Sequence, residues 1–157
     1  MPKPLWTPAR DPNVDDDGRV ISPVPGVAPG FRFGEHPTPP NRYKNRENRH
    51  TGCDWPGRQG APIVMVGNVS EDVAGVVTHV TWDSDYGNNV QVRRDGHTWR
   101  FCHLSRVDVR VGQPLKANQQ IGLVGSTGHV TGPHLHLEQS RRATWAYDDV
   151  LDPTRGW

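Results

Sequence analysis

Apolar positions show no usable rhythm through the first part of this chain and fall into short β-type runs after it. Ten of the 15 prolines lie in residues 1–40. Proline lacks the ladder donor and breaks helix interiors, so this stretch is expected to be extended and irregular, with one short strand around residues 19–22. Residues 41–49 (NRYKNRENR) are polar and cationic without periodicity, which predicts a surface loop. From residue 50 onward β-branched runs alternate with turn residues. Strands are predicted over 61–66, 73–82, 89–93, 97–103, 114–115, 120–124 and 134–138. Asp83 to Asn88 supplies one turn, and Asp95-Gly96 is the strongest hairpin signal in the chain. No segment carries an amphipathic helical stripe. The expected fold is mainly β: an antiparallel sheet curling into a half-barrel, with long loops and little helix.

Composition narrows the function classes. The 157 residues suit one domain plus a tail, and 33% hydrophobic content with 17 Gly and 15 Pro excludes coiled coils and helical bundles. No run approaches ~18 apolar residues, so no membrane insertion is expected. A net charge of +1 gives no electrostatic reason for a nucleic-acid partner. The run Asp15-Asp16-Asp17-Gly18 lacks the later glutamate of a calcium loop and reads as a solvated acidic turn. The first residues, Met-Pro-Lys-Pro-Leu-Trp-Thr-Pro, lack the apolar stretch of a secretory signal.

Eight histidines direct attention to metal and proton chemistry. His134-Leu135-His136-Leu137 places two imidazoles on one face of a strand and the leucines on the other. His50-Thr51-Gly52-Cys53-Asp54 reads as extended chain or a tight turn, with 50, 52 and 54 on one face and Gly52 leaving room between two ligands. His103 closes the 97–103 strand, sharing the face of Phe101 by alternation. Each feature is weak alone, but together they match a requirement. A catalytic zinc takes about three protein ligands and keeps a position open. His50, Asp54 and one histidine of the 134/136 pair would fill that set. The other histidine of the pair and His103 would then stand beside the bound water. Cys53, next to Asp54, is expected to point away.

At this point several blocks together resemble the zinc metallopeptidases of family M23, the lysostaphin and LytM type. The blocks are His50-x-Gly-x-Asp54, Tyr86-Gly87-Asn88, His103-Leu104-Ser105, Val111-Gly112, Gln120-Ile121-Gly122, Gly125-Ser126-Thr127-Gly128 and Thr131-Gly132-Pro133-His134-Leu135-His136-Leu137-Glu138. The resemblance spans about residues 22–153 and rests mostly on 50–138. It implies His50, Asp54 and His136 as ligands of one zinc ion per chain. It implies His103 and His134 as catalytic histidines, and peptide cross-links of bacterial peptidoglycan as substrate. On that basis residues 1–45 are an arm with the first short strand or strands, and 46–157 the peptidase domain with a short C-terminal tail.

The pattern departs from the family in places. Phe101 stands where a tyrosine is usual, Trp55, which could line the groove or simply pack, where an aliphatic is usual, and His36 follows Phe33-Gly34-Glu35 where an Arg is usual. The proline-rich insert between Phe33 and His50 could wall one side of the cleft. His129, Trp55 and Tyr86 are the candidate substrate contacts, while His36, His79 and His97 read as surface or hairpin residues. Cys53 and Cys102, if on neighbouring strands, would both face away from the zinc and could bridge.

Two rivals accompany this reading. A non-catalytic relative of the same fold would act as a cell-wall binding, regulatory or virion structural module. A lipoyl-type carrier is suggested by Val111-Gly112 and Gln120-Ile121-Gly122, but Lys116 lacks a carrier context. The settings left open are a phage lysin released through a holin, a peptidase built into a virion, and an exported enzyme, the phage ones being favoured. In each it is expected to act at the cell wall, as a monomer if free.

Overall fold

The computed structural model describes residues 10–37 and 48–157. Nine antiparallel strands form one sheet: β1 Cys53–Pro56, β2 Pro62–Val64, β3 Gly75–Asp83, β4 Gly87–Arg94, β5 His97–Val107, β6 Pro114–Leu115, β7 Gln120–Val124, β8 His134–Ser140 and β9 Val150–Leu151. The main path runs β1-β8-β5-β4-β3-β6 and does not close; β7 bridges β2 and β5, and β9 pairs with β8. The helix in the described residues is a single 3-10 turn, Tyr147–Asp149. None is long and apolar enough to cross a membrane.

Most expected strands are present, with shifted ends. β3 begins at Gly75 rather than at Val73, which is exposed. The Asp95-Gly96 turn joins β4 to β5 with φ of 48° and 75°, the positive pair that a two-residue hairpin needs. Residues 19–22 make no ladder strand: Val20 and Arg19 form only isolated bridges, to Val14 and Asn68. β1 and β9 have no strong signal in the sequence.

The core is the inner face of this sheet. Leu135 and Leu137 of β8, Phe101 of β5, Val90 and Val92 of β4 and Ile121 of β7 are all fully buried there. The irregular segment before β1 joins them, with Val20 and Val24 each 1% exposed. Trp157 packs its ring against Trp55 and Trp99, at centroid distances of 6.4 and 5.8 Å.

The cysteines depart from expectation. Both are free and buried, and β8 lies between their strands: Cys53 pairs with Leu137, and Cys102 with His136. Residues directly opposite in an antiparallel pair project to the same face. Cys53 therefore joins the leucine-lined core, whereas Cys102 lies on the histidine face. Only the first points away from the proposed site, and no bridge joins them.

Candidate metal centre and active site

β8 supplies His134, His136 and Glu138 on one face through its period of two. β1 lies beside it, with Asp54 opposite His136. His50 comes from the segment leading into β1. Gly52 allows this approach, because a Cβ there would lie 2.3 Å from the Leu137 carbonyl and 2.9 Å from His136 Cε1. The space that the sequence assigned to an ion is thus filled by the β8 backbone and the His136 ring.

Residues 30–35 brace the other side. The amide of Asp54 donates to the Phe31 carbonyl and that of Gly30 to the Asp54 carbonyl, each at 2.8 Å. The Phe31 ring stacks on His50 at 4.3 Å.

His103 reaches the site by an irregularity. Val90 pairs with Phe101 but Asn88 with Leu104, so β5 holds one extra residue at 102–103. His103 carries that bulge at φ 67°, a left-handed conformation that few non-glycine residues adopt. Simple alternation would send it to the core with Phe101. The bulge instead places its ring 4.9 Å from that of His134 and 6.0 Å from that of His136. The amide of His103 donates to the Tyr86 carbonyl at 2.8 Å, tying the bulge to the Tyr86-Gly87-Asn88 turn.

Each of the four histidines has one ring nitrogen held by an acceptor. His50 Nδ1 donates to the Arg32 carbonyl at 3.1 Å, His103 Nδ1 to Thr127 at 2.8 Å and His134 Nδ1 to Gly132 at 2.9 Å. His136 reverses the pattern, with Nε2 donating to Glu138 Oε1 at 3.0 Å. A carbonyl oxygen accepts and cannot donate, so it fixes the tautomers of His50, His103 and His134, whereas His136 meets a carboxylate at each ring nitrogen. The opposite nitrogens, His50 Nε2 and His136 Nδ1, lie 3.1 Å apart, and Asp54 Oδ1 lies 3.3 and 2.7 Å from them.

This donor set fits a metal ion. His50, Asp54 and His136 each offer one ligand atom, all within 4.8 Å of one another. Two imidazoles and a carboxylate oxygen, with no fourth His, Cys, Asp or Glu beside them among the described residues, fit an open zinc-type site. His136 Nδ1 lies 2.7 Å from Asp54 Oδ1 and 3.1 Å from His50 Nε2, so in the metal-free site a proton on Nδ1 joins these atoms, and a bound cation would take its place. Burial alone would lower the His136 pKa, but its hydrogen bonds to Asp54 and Glu138 prevail and raise it to about 9. Burial likewise opposes the ionised Asp54, yet its hydrogen bonds to His136 and His50 hold it well below the usual carboxylate range. His103 moves the other way: burial, and then the neighbouring His136, lower it to about 4.

Glu138 was not singled out from the sequence, although its place at i, i+2, i+4 after His134 and His136 is visible there. It is fully buried and accepts from Thr51 Oγ1 at 2.6 Å, from His136, and from Arg100. Arg100 sits opposite it in the β5–β8 register. No sequence signal marks Arg100, because its role depends on that register.

The expected substrate contacts separate. Tyr86 is half-buried with its ring 6.1 Å from that of His136. His129 is exposed, its amide on the Asp85 carbonyl, and among the described residues no ring contact joins it to the four histidines. Trp55 is corrected: at 2% exposure it pairs with Leu135 and packs against Trp157, so it belongs to the core and not to a groove. His36 and His79 are exposed, and His97 bonds Gln139 at the far end of β5. The proline-rich insert lies mostly outside the described residues.

Comparison with known proteins places this geometry among relatives. The profile of Peptidase family M23 matches residues 48–148. The peptidoglycan DD-endopeptidase ShyA of Vibrio cholerae is 41% identical over 91 residues, 57% of this chain and 20% of that protein. The catalytic domain of the antimicrobial peptidase lysostaphin from Staphylococcus simulans superposes with a TM-score of 0.68 at 26% identity, covering 83% of this chain and 91% of that one. A zinc-containing peptidase from Vibrio cholerae superposes at 0.63 with 27% identity, over 92% of this chain and 39% of that one. The chain spans between about a fifth and three tenths of the length of the curated relatives it matches.

Proposed function

The chain belongs to peptidase family M23, and from that premise we propose that it is a zinc-dependent endopeptidase hydrolysing peptide cross-links of bacterial peptidoglycan. The observation that carries this reading is the convergence of four histidines and Asp54, each ring held by an acceptor at one nitrogen. His50 Nε2, Asp54 Oδ1 and His136 Nδ1 are the proposed ligands of one zinc ion per chain. Zinc held there supplies Lewis acidity, polarising the scissile carbonyl and acidifying a water molecule.

The remaining work falls to the protein. His103, lowered to about 4, is neutral at neutral pH; with Nδ1 committed to Thr127, its Nε2 is the acceptor for the proton of the attacking water. His134, fixed through Nδ1 by Gly132, presents Nε2 3.7 Å from Asp54 Oδ1. It is the alternative acceptor for the proton of the attacking water, and whichever of the two rings takes that proton would hold the developing oxyanion through it. Tyr86, beside both, forms part of the groove wall. His129, on the loop after Gly128, is a proposed outer contact.

The bond we propose is D-alanyl–diaminopimelate, supported by the 41% identity to a DD-endopeptidase; a glycine bridge is second. The domain is residues 46–157, with 1–45 as an arm whose described part packs against it. The proposed setting is a phage lysin; detection in purified virions or in holin-dependent lysates tests it.

Peptidoglycan incubated with zinc-loaded protein and analysed by mass spectrometry should release peptides cut at one cross-link type. His136→Ala should release none while keeping its far-UV spectrum. Folded, zinc-replete wild type that cuts neither diaminopimelate nor glycine-bridged walls would sink the enzyme reading in favour of a non-catalytic module.

A further inference from the structure

Beneath the proposed ligands lies a buried ionic group that the reaction as described does not use. Glu138 is 0% exposed, and both of its oxygens are taken. Oε1 accepts from Thr51 Oγ1 at 2.6 Å and from His136 Nε2 at 3.0 Å. Oε2 accepts from Arg100 Nε at 2.9 Å and from Arg100 Nη2. Four donors on one carboxylate use about all the lone-pair sites it has.

Arg100 is itself held on both faces. Its guanidinium carbon lies 3.7 Å from the centroid of Tyr86 and 4.0 Å from that of Trp145. The two rings occupy its planar faces while its edge meets Glu138, which leaves it little freedom to turn away. Trp145 lies between β8 and the Tyr147–Asp149 turn, so the C-terminal segment and the Tyr86 turn converge on one side chain of β5.

A buried ion pair is poor evidence of a stabilising role, since apolar residues of similar volume often serve as well. What apolar residues could not do is receive an imidazole N–H. His136 differs from His50, His103 and His134 in that its holding acceptor is a carboxylate and not a carbonyl. Its orientation reverses with that change, so that Nδ1 and not Nε2 faces Asp54.

We propose that Glu138 is a positioning residue for metal binding: it fixes the tautomer and ring angle of His136, and Arg100, clamped between Tyr86 and Trp145, fixes Glu138. The inference rests on the metallopeptidase reading above, and its test measures zinc binding apart from hydrolysis so that the two can fail separately.

Zinc affinity is to be measured by competition with a chromophoric chelator, beside the visible spectrum of the cobalt(II)-substituted protein. Glu138→Gln should weaken zinc about 10- to 100-fold, the range for partners behind a metal ligand, and shift the cobalt bands. Wild-type affinity together with a wild-type cobalt spectrum in Glu138→Gln would overturn the proposal. Thr51→Val carries the test should Glu138→Gln fail to fold. It strips one donor from the oxygen that holds His136 and should cost about threefold in zinc affinity, less than loss of the direct partner, with a smaller shift of the cobalt bands. An unaltered spectrum and affinity there would be equally fatal. Wild-type protein that binds no zinc would overturn both this inference and the reading beneath it.

Discussion

His136 and His103 are both buried imidazoles, and their neighbours drive them in opposite directions. Burial lowers both, but His136 faces two carboxylates and rises to about 9. His103 has burial reinforced by the neighbouring His136, against a smaller opposing effect of the Thr127 carbonyl, and falls to about 4. For His103 the sign is direct. Its neutral form is complete above the ordinary value of 6.5 and is lost only as pH falls through about 4. A bound dication would push the same way. The acid limb of kcat/KM in zinc-saturated buffer should therefore lie below 6.5, and a limb at or above that value would remove His103 as the base. His103→Ala should lower kcat about 10²- to 10⁴-fold while zinc still binds. These roles were partly legible in the sequence. His50, Asp54 and the 134/136 pair could be assembled from spacing and face, but which member of the pair binds metal rested on family resemblance. Distance supports the proposed assignment: His136 Nδ1 lies 2.7 Å from Asp54 Oδ1, and His134 Nε2 lies 3.7 Å away.

Among the strands, period-two alternation served well wherever the chain stayed regular. It placed Leu135 and Leu137 in the core and His134 and His136 opposite them. It failed at β5, where the extra residue at 102–103 turns His103 away from the face of Phe101 and leaves Cys102 on the histidine side. A bulge depends on the partner strand's register, and no local pattern announces it. β1 is a second case: Cys53–Pro56 alternates in burial but is only four residues long and ends in proline, too little for a local pattern to announce, so its strand character comes from β8. That pairing requires the bare backbone of Gly52. Gly52→Ala would set a methyl 2.3 Å from the Leu137 carbonyl. It should destabilise the protein by about 1–3 kcal/mol in urea unfolding and weaken zinc binding, because β1 and β8 carry Asp54 and His136. A variant as stable as wild type would show that the two strands need not lie so close.

At the scale of the whole molecule, pieces remote in sequence close one core over one site. Val20 and Val24 enter from before β1, Trp157 from the C-terminal end, and residues 30–35 brace the chain that carries His50 and Asp54. A metal ion binding only the folded arrangement adds its binding energy to stability, about 2.7 kcal/mol at free zinc one hundred times the Kd. Removing zinc with a chelator should lower Tm, and adding it back should restore it in a concentration-dependent way. A Tm indifferent to zinc would mean that no ion binds the folded state.

The sequence by itself determined the β class, the hairpin at Asp95-Gly96 and the residue types of the site, because these follow from local conformational preference, from alternation along single strands and from motif spacing. The tertiary structure alone decided the bulge that brings in His103, the burial of Trp55 away from any groove, the separation of the two cysteines by β8, and the pairing of Arg100 with Glu138. Each of these depends on which strand lies beside which and in what register. Such choices are made by packing across the sheet, between residues that no local window contains.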